Sequence, residues 1–175
     1  MHVNFEFKAR SSNHAELEER LLPFVPDFRG TDHQVDTYFQ VPHGRLKLRE
    51  GNIEYALIHY LRSDSASAKQ SDVLLYQPVP DPGLKQILST ALGVKVVVEK
   101  QRRIYFIDNV KFHFDTVSQL GSFVEVEAID FQGNIGLERL KEQCLFYARL
   151  FGISEQDYES GSYSDLLLAK KSTAY

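Results

Sequence analysis

Apolar and polar residues alternate in short runs along most of this chain. In Val3-Asn4-Phe5-Glu6-Phe7-Lys8 the apolar side chains fall on odd positions and the polar ones on even positions. Successive side chains of a strand point to opposite faces, so such a run predicts a strand with one greasy and one charged face. The same pattern recurs in Arg45-Leu46-Lys47-Leu48-Arg49, Glu99-Lys100-Gln101-Arg102, His113-Phe114-Asp115 and Phe123-Val124-Glu125-Val126-Glu127. Alternation and β-formers predict strands over Val3–Ala9, Gln34–Val41, Arg45–Arg49, Glu54–Arg62, Asp72–Val79, Val94–Lys100, Arg103–Ile107, Val110–Val117 and Phe123–Ile129. Asp108-Asn109 reads as a two-residue hairpin loop.

Helical spacing is confined to a few places. Ser12 or Asn13 caps a short helix over Ala15–Leu22, ended by Pro23 and Pro26. Pro82 opens a second that ends near Gly93. Asn134 is expected to cap the strongest helix, Ile135–Phe151, whose stripe is Leu137, Leu140, Cys144, Ala148 and Phe151. Ser164–Lys170 is a last short helix, and Ser63–Ser71 reads as a polar mobile loop between strands. Short turns between strands indicate antiparallel pairing. The expected architecture is α+β: an antiparallel, closed or nearly closed barrel of about eight strands, with helices packed outside.

If Val3, Phe5, Phe7, Leu46 and Leu48 face outward under helices, the inward face is charged. It holds Glu6, Lys8, Arg45, Lys47, Arg49, Arg62, Lys100, Arg102, Asp115, Glu125 and Glu127. So many enclosed charges are costly unless solvated, paired or matched to a ligand. Cations suit phosphoryl oxygens, arginine in bidentate fashion. Carboxylates would repel the same anion, so their presence implies a hard divalent cation, Mg²⁺ or Mn²⁺, between them and the phosphates.

Bulk composition narrows the partners. The net charge of −4 leaves no general basic field for nucleic acid. With 175 residues, one domain over 1–175 is expected. The single Cys144 allows no intrachain disulfide and fits a reducing compartment. Glu6 and Lys8 interrupt any signal-peptide pattern, and no apolar run reaches the length of about 20 residues that a membrane span needs. A cytoplasmic protein without membrane contact is the expectation.

Six segments in order resemble the CYTH group, also called triphosphate tunnel metalloenzymes, and most of all its class IV adenylyl cyclase branch. Glu6-Phe7-Lys8 is similar to the end of an opening Glu-x-Glu-x-Lys, and Leu46-Lys47-Leu48-Arg49-Glu50 to Leu-Arg-x-Arg-Glu. Gln34-Val35-Asp36-Thr37-Tyr38-Phe39, Glu99-Lys100-Gln101-Arg102 ahead of an Ile-Tyr-Phe strand, and His113-x-Asp115-x-Val117 continue the likeness. Leu120-Gly121-x-Phe123-x-Glu125-x-Glu127 follows, and Ser162-Tyr163-Ser164-Asp165-Leu166-Leu167 closes it. The resemblance implies a tunnel binding ATP, inorganic triphosphate or thiamine triphosphate, with one or two Mg²⁺ or Mn²⁺ ions. It implies metal ligation by Glu6, Glu125 and Glu127, with Asp115 and Asn4 as further candidates. It implies triphosphate binding by Lys8, Arg45, Lys47, Arg49, Arg62, Lys100 and Arg102, with Glu6, Lys8, Arg49, Lys100 and Arg102 carrying catalysis. It suggests a homodimer.

The expected activity is adenylyl cyclase-like, ATP to cyclic AMP and pyrophosphate; the alternatives are an inorganic or thiamine triphosphatase, or a binder of phosphorylated small molecules weakened in catalysis. Asn4 motivates the last, because it stands where the family has its first Glu and brings no charge. Lys47 stands for an Arg and loses the planar fork. Against the charged interior, Arg103 and Glu99 have outward parity and are read as surface residues. Lys111 shares the parity of Asp115 but lies by a hairpin, and is read as exposed. The dispersed histidines show no zinc spacing, and Cys144 reads as core. Tyr163 is expected to close one tunnel mouth.

Overall fold

The computed structural model describes residues 2–62 and 69–173, apart from the side chains of His2, Arg62 and Lys69. Eight antiparallel strands close on themselves in the order β1-β5-β4-β3-β2-β6-β7-β8. They are β1 (His2–Arg10), β2 (Asp27–Phe39), β3 (Arg45–Gly51), β4 (Tyr55–Arg62), β5 (Lys69–Tyr76), β6 (Val94–Ile107), β7 (Val110–Val117) and β8 (Gly121–Asp130). Four α-helices accompany them: α1 (His14–Leu21), α2 (Pro82–Leu92), α3 (Leu137–Phe151) and α4 (Tyr163–Ser172).

The outer face of β1, β7 and β8 carries the main core. Phe5, Phe7, Phe112, Phe114, Val124 and Val126 pack there against Leu17 and Leu21 of α1 and Leu140, Cys144, Tyr147 and Phe151 of α3. Burying each large apolar side chain contributes on the order of 1.5–3 kcal/mol, so this layer drives the helices onto the barrel. Phe112 and Tyr147 meet edge to face at 4.6 Å. Cys144 is fully buried and donates its S–H to the Phe5 carbonyl at 3.0 Å. Burial pushes its thiol up to about 12, so it behaves as a small core residue.

Helical cover is less complete than the alternation suggests. On the outer face of β4 and β5, Leu61, Leu74 and Tyr76 stay 50%, 52% and 64% exposed. Helix α4 instead packs Tyr163 and Leu167 against Tyr38, Val96, Val98, Val117 and Phe123 at one end of the barrel. A capping box at Ser162 and Asp165 starts α4. Ser162→Ala should therefore cost about 1 kcal/mol, read as a melting-temperature drop of about 3 °C by calorimetry.

Several boundaries correct the sequence reading. Strand β2 begins at Asp27, seven residues before Gln34. Val94–Lys100 and Arg103–Ile107 are one strand, because Gln101 and Arg102 pair with His33 and Asp32 of β2 in unbroken register. Lys69–Ser71 belong to β5, and the rest of the expected Ser63–Ser71 loop lies outside the described residues. Asn134 does not cap α3: its N-cap is Gly136, with no side-chain hydrogen bond. Asp130 accepts from the backbone N–H groups of Gly133, Asn134, Ile135 and Gly136 and so shapes the entry to the helix. Among the described residues, no helix is long and apolar enough to cross a membrane.

Candidate functional site

A cavity of about 500 Å³ runs through the barrel. Alternation aims the charged residues at it. Glu6 and Lys8 of β1, Lys47 and Arg49 of β3, Lys100 and Arg102 of β6, and Glu125 and Glu127 of β8 all line it. Asp36, Glu54, Lys111 and His113 join them. Lys111 therefore corrects its reading as a surface residue: the hairpin ends at Val110, and the next residue already faces the lumen. Its ammonium is paired with Glu54.

The charges fall into two groups. One is centred on Asp36, which is 1% exposed. Arg49 grips it in bidentate fashion at 2.9 Å for both contacts, Lys100 reaches it at 2.8 Å and Lys47 at 3.0 Å. The register makes this possible, since Asp36 and Arg49 are directly paired across β2 and β3. Burial alone would raise the Asp36 carboxyl, but Arg49, Lys100 and Lys47 outweigh it and hold the group well below the carboxylate range. Burial, with Arg49, Arg102 and Lys47 alongside, lowers Lys100 to about 7 against the pull of Asp36. Arg49 also donates to Glu54 at 2.8 Å, and the Glu54 carboxyl is driven far down, its burial overridden by Arg49 and Lys111.

The second group joins β1, β6, β7 and β8. Glu6 is the register partner of Glu127, and Lys8 of Glu125. Enclosure, then the neighbouring charge of Glu6 and that of Glu125, pushes Glu127 up to about 7. The Asn4 amide donates to Glu127. Arg102 holds Asp115 through two contacts at 2.7 and 2.5 Å and donates to Glu125 at 2.9 Å. His113 shares Glu125 at 3.0 Å, and burial with Arg102 lowers it to about 4, so it is neutral near pH 7. Lys8 donates to the Gly161 carbonyl and lies 4.6 Å from the Tyr163 ring centre.

The remaining candidates are placed differently. Asp115 is 0% exposed and lies behind Arg102, where it also accepts from the Tyr163 hydroxyl at 2.7 Å. Its oxygens are committed to those donors rather than turned to the lumen. Arg45 lines a smaller cavity with Lys95 and Ser164 and pairs with Asp165 of α4 at 2.9 Å. The Arg62 side chain lies outside the described residues. Asp36 and Glu54, the organisers of the cation cluster, were given no role by sequence. Asp36 shares its face with Gln34 and Tyr38, but Thr37, Tyr38 and Phe39 are all buried, so parity gives it no mark.

A divalent cation fits one part of the site. Glu6, Glu125 and Glu127 bring like charges together, and Glu127 is raised first by its burial and then by the charges of Glu6 and Glu125. Their donor atoms are hard oxygens, suited to Mg²⁺ or Mn²⁺. Among the described residues no group of three or more His, Cys, Asp or Glu forms a ready-made cage. Mg²⁺ is commonly held by one or two carboxylates plus substrate phosphates, and Glu6 and Glu127, register partners across β1 and β8, are two such carboxylates.

The CYTH domain family profile matches residues 2–163. The PH1012 protein of Pyrococcus horikoshii OT3 is 25% identical, with a TM-score of 0.76 over 95% of this chain and 99% of that one. A candidate adenylate cyclase from Vibrio parahaemolyticus is 20% identical, with a TM-score of 0.73 over 94% and 97% of the two chains. HpAC1 from Hippeastrum, described as a candidate adenylyl cyclase with a dominant triphosphatase activity, is 16% identical, with a TM-score of 0.59 over 98% and 96%. No curated protein matches the chain.

Proposed function

The chain belongs to the CYTH domain family, and from that premise we propose that it acts on a triphosphate, with a divalent cation, inside its barrel. The carrying observation is the meeting of a cation cluster around Asp36 with a carboxylate group around Glu127 in one lumen. Lys47, Arg49 and Lys100 each keep N–H donors beyond those given to Asp36, and these would grip phosphoryl oxygens. Arg102 is fixed by Asp115 and Glu125, so it would meet the anion with little loss of side-chain freedom. Glu6 and Glu127, with Glu125 beside them, would hold Mg²⁺ or Mn²⁺. The bound ion would neutralise phosphoryl charge and polarise the phosphorus under attack. The protein's own share is positioning and charge matching, with no covalent intermediate.

The finer reading is adenylyl cyclase-like: the ribose 3′-hydroxyl of ATP attacks the α-phosphorus and pyrophosphate leaves. Hydrolysis of inorganic or thiamine triphosphate is the second reading, favoured by the triphosphatase activity named for HpAC1. Incubation with ATP, tripolyphosphate and thiamine triphosphate plus Mg²⁺ or Mn²⁺ separates them. Cyclic AMP with pyrophosphate supports cyclisation; orthophosphate supports hydrolysis. Binding of all three without products would leave a binding protein and overturn both.

The lowered Lys100 gives a pH signature. Above about pH 7 the free protein has lost that proton, and a polyanion binding beside it draws the proton back. Affinity for tripolyphosphate should then fall as pH rises from 7 to 9, by up to about tenfold per unit. Calorimetric titration in buffers of different ionisation heat should show proton uptake on binding at pH 8.

A further inference from the structure

Charge does not line the whole cavity. Ala56 and Ile58 of β4 and Val73 and Leu75 of β5 face into it as a continuous apolar wall. The register sets Ile58 opposite Leu75, and on its other side Ile58 partners Lys47 while Ala56 partners Arg49. The wall therefore begins one strand away from two of the cations gathered by Asp36. Leu75 faces the lumen with 47% of its surface exposed.

A polar pair borders the other edge of this wall. Asn4 and Ser71 are register partners across β1 and β5, both line the cavity, and they are only 1% and 2% exposed. Asn4 Oδ1 and Ser71 Oγ have no hydrogen-bond partner among the described residues. The Asn4 amide nitrogen donates to Glu127, so the atom without a partner is its carbonyl oxygen, an acceptor. A phosphoryl oxygen is itself an acceptor and cannot satisfy Asn4 Oδ1, whereas an O–H or N–H group can; the Ser71 hydroxyl beside it both donates and accepts.

We infer that the preferred triphosphate is organic: its non-phosphate part is an apolar body seated on the Ile58–Leu75 wall, with an O–H or N–H donor directed at Asn4 and Ser71. The inference rests on the reading of the tunnel as a triphosphate site. Inorganic tripolyphosphate has no apolar surface and, when fully ionised, no donor. It would leave the wall in water and Asn4 Oδ1 without a donor, which is unfavourable on both counts, and it could engage Ser71 only by accepting from its hydroxyl. Ile58, Leu75 and Ser71 are thereby specificity residues, and the phosphate-binding cations are not asked to discriminate.

The test compares ATP, thiamine triphosphate and inorganic tripolyphosphate on wild type, Leu75→Asn and Ser71→Ala, by turnover and by Mn²⁺-supported calorimetric binding. At least one organic substrate should exceed tripolyphosphate by about tenfold or more in kcat/KM. The ratio of organic to inorganic kcat/KM should fall about tenfold in Leu75→Asn and several-fold in Ser71→Ala. Leu75 is half exposed and Ser71→Ala removes only a hydroxyl, and melting curves check that both variants fold. Tripolyphosphate as the best substrate, with the ratio unchanged in both variants, overturns the inference. Failure of the wild type to bind or cleave any of the three is a different result: it overturns the triphosphate reading, and this inference with it.

Discussion

Asp36→Asn should be the most damaging single substitution in the lumen, costing about 3–5 kcal/mol of folding stability. The change is nearly isosteric, so packing is spared and charge alone is removed. What remains is Arg49, Lys100 and Lys47 brought together around a neutral amide. Arg49 and Lys100 are 7% and 2% exposed, so water can do little to screen them. At this chain length the loss corresponds to a melting-temperature drop of about 10 °C or more. Lys100 would respond by giving up its proton at still lower pH, relieving part of the repulsion. Its folded pKa lies below the model-peptide 10.5, so its contribution is complete only above the unfolded value and is lost as pH falls. The deficit in Asp36→Asn should accordingly be larger at pH 6 than at pH 9. Tripolyphosphate should raise the melting temperature of Asp36→Asn more than that of the wild type, because a phosphoryl group supplies the missing negative charge. Equal stability of the two proteins at pH 6 would contradict the electrostatic picture of this cluster.

Glu127→Gln should behave in the opposite way. It mimics the protonated form that burial and the neighbouring carboxylates already favour, so the ligand-free protein should lose no stability. Glu127 has a folded pKa of about 7 against 4.5 in a model peptide. The stability it contributes is therefore present below about 4.5 and lost as pH rises through 7. Thermal scans between pH 5 and 8 should show a downward slope in the wild type that is shallower in Glu127→Gln. Activity should move much further. Loss of one carboxylate from the proposed cation site should reduce Mn²⁺ affinity and turnover at least about 100-fold, beyond the 10–100-fold typical of removing an outer-sphere partner. Retention of Mn²⁺-dependent turnover would exclude Glu127 from that site.

What could be read from the sequence follows from how each strand is buried. Strands β1 and β8 bury one face under helices and open the other to the lumen, so Glu6, Lys8, Glu125 and Glu127 announce themselves by strict alternation. On β6 the inward residues Lys100 and Arg102 alternate with exposed Glu99, Gln101 and Arg103. Five polar residues in a row nevertheless resembled a break, and only the long pairing with β2 shows one strand. Strand β2 hides its chemistry differently. Thr37, Tyr38 and Phe39 are all buried, so no alternation marks Asp36. The apolar wall was equally silent, because Leu57 precedes Ile58 and Leu74 precedes Leu75 on the opposite face, and runs of one kind carry no parity. Lys111 and Glu54 are 57 positions apart, and their pairing depends on closure of the barrel rather than on any local signal.

The most direct test of the central claim is a crystal structure with Mn²⁺ and a non-hydrolysable triphosphate analogue. The account predicts phosphoryl oxygens against Lys47, Arg49, Lys100 and Arg102, and anomalous density for Mn²⁺ between those oxygens and Glu6 and Glu127. An analogue bound outside the barrel, or Mn²⁺ ligated away from β1 and β8, would contradict it.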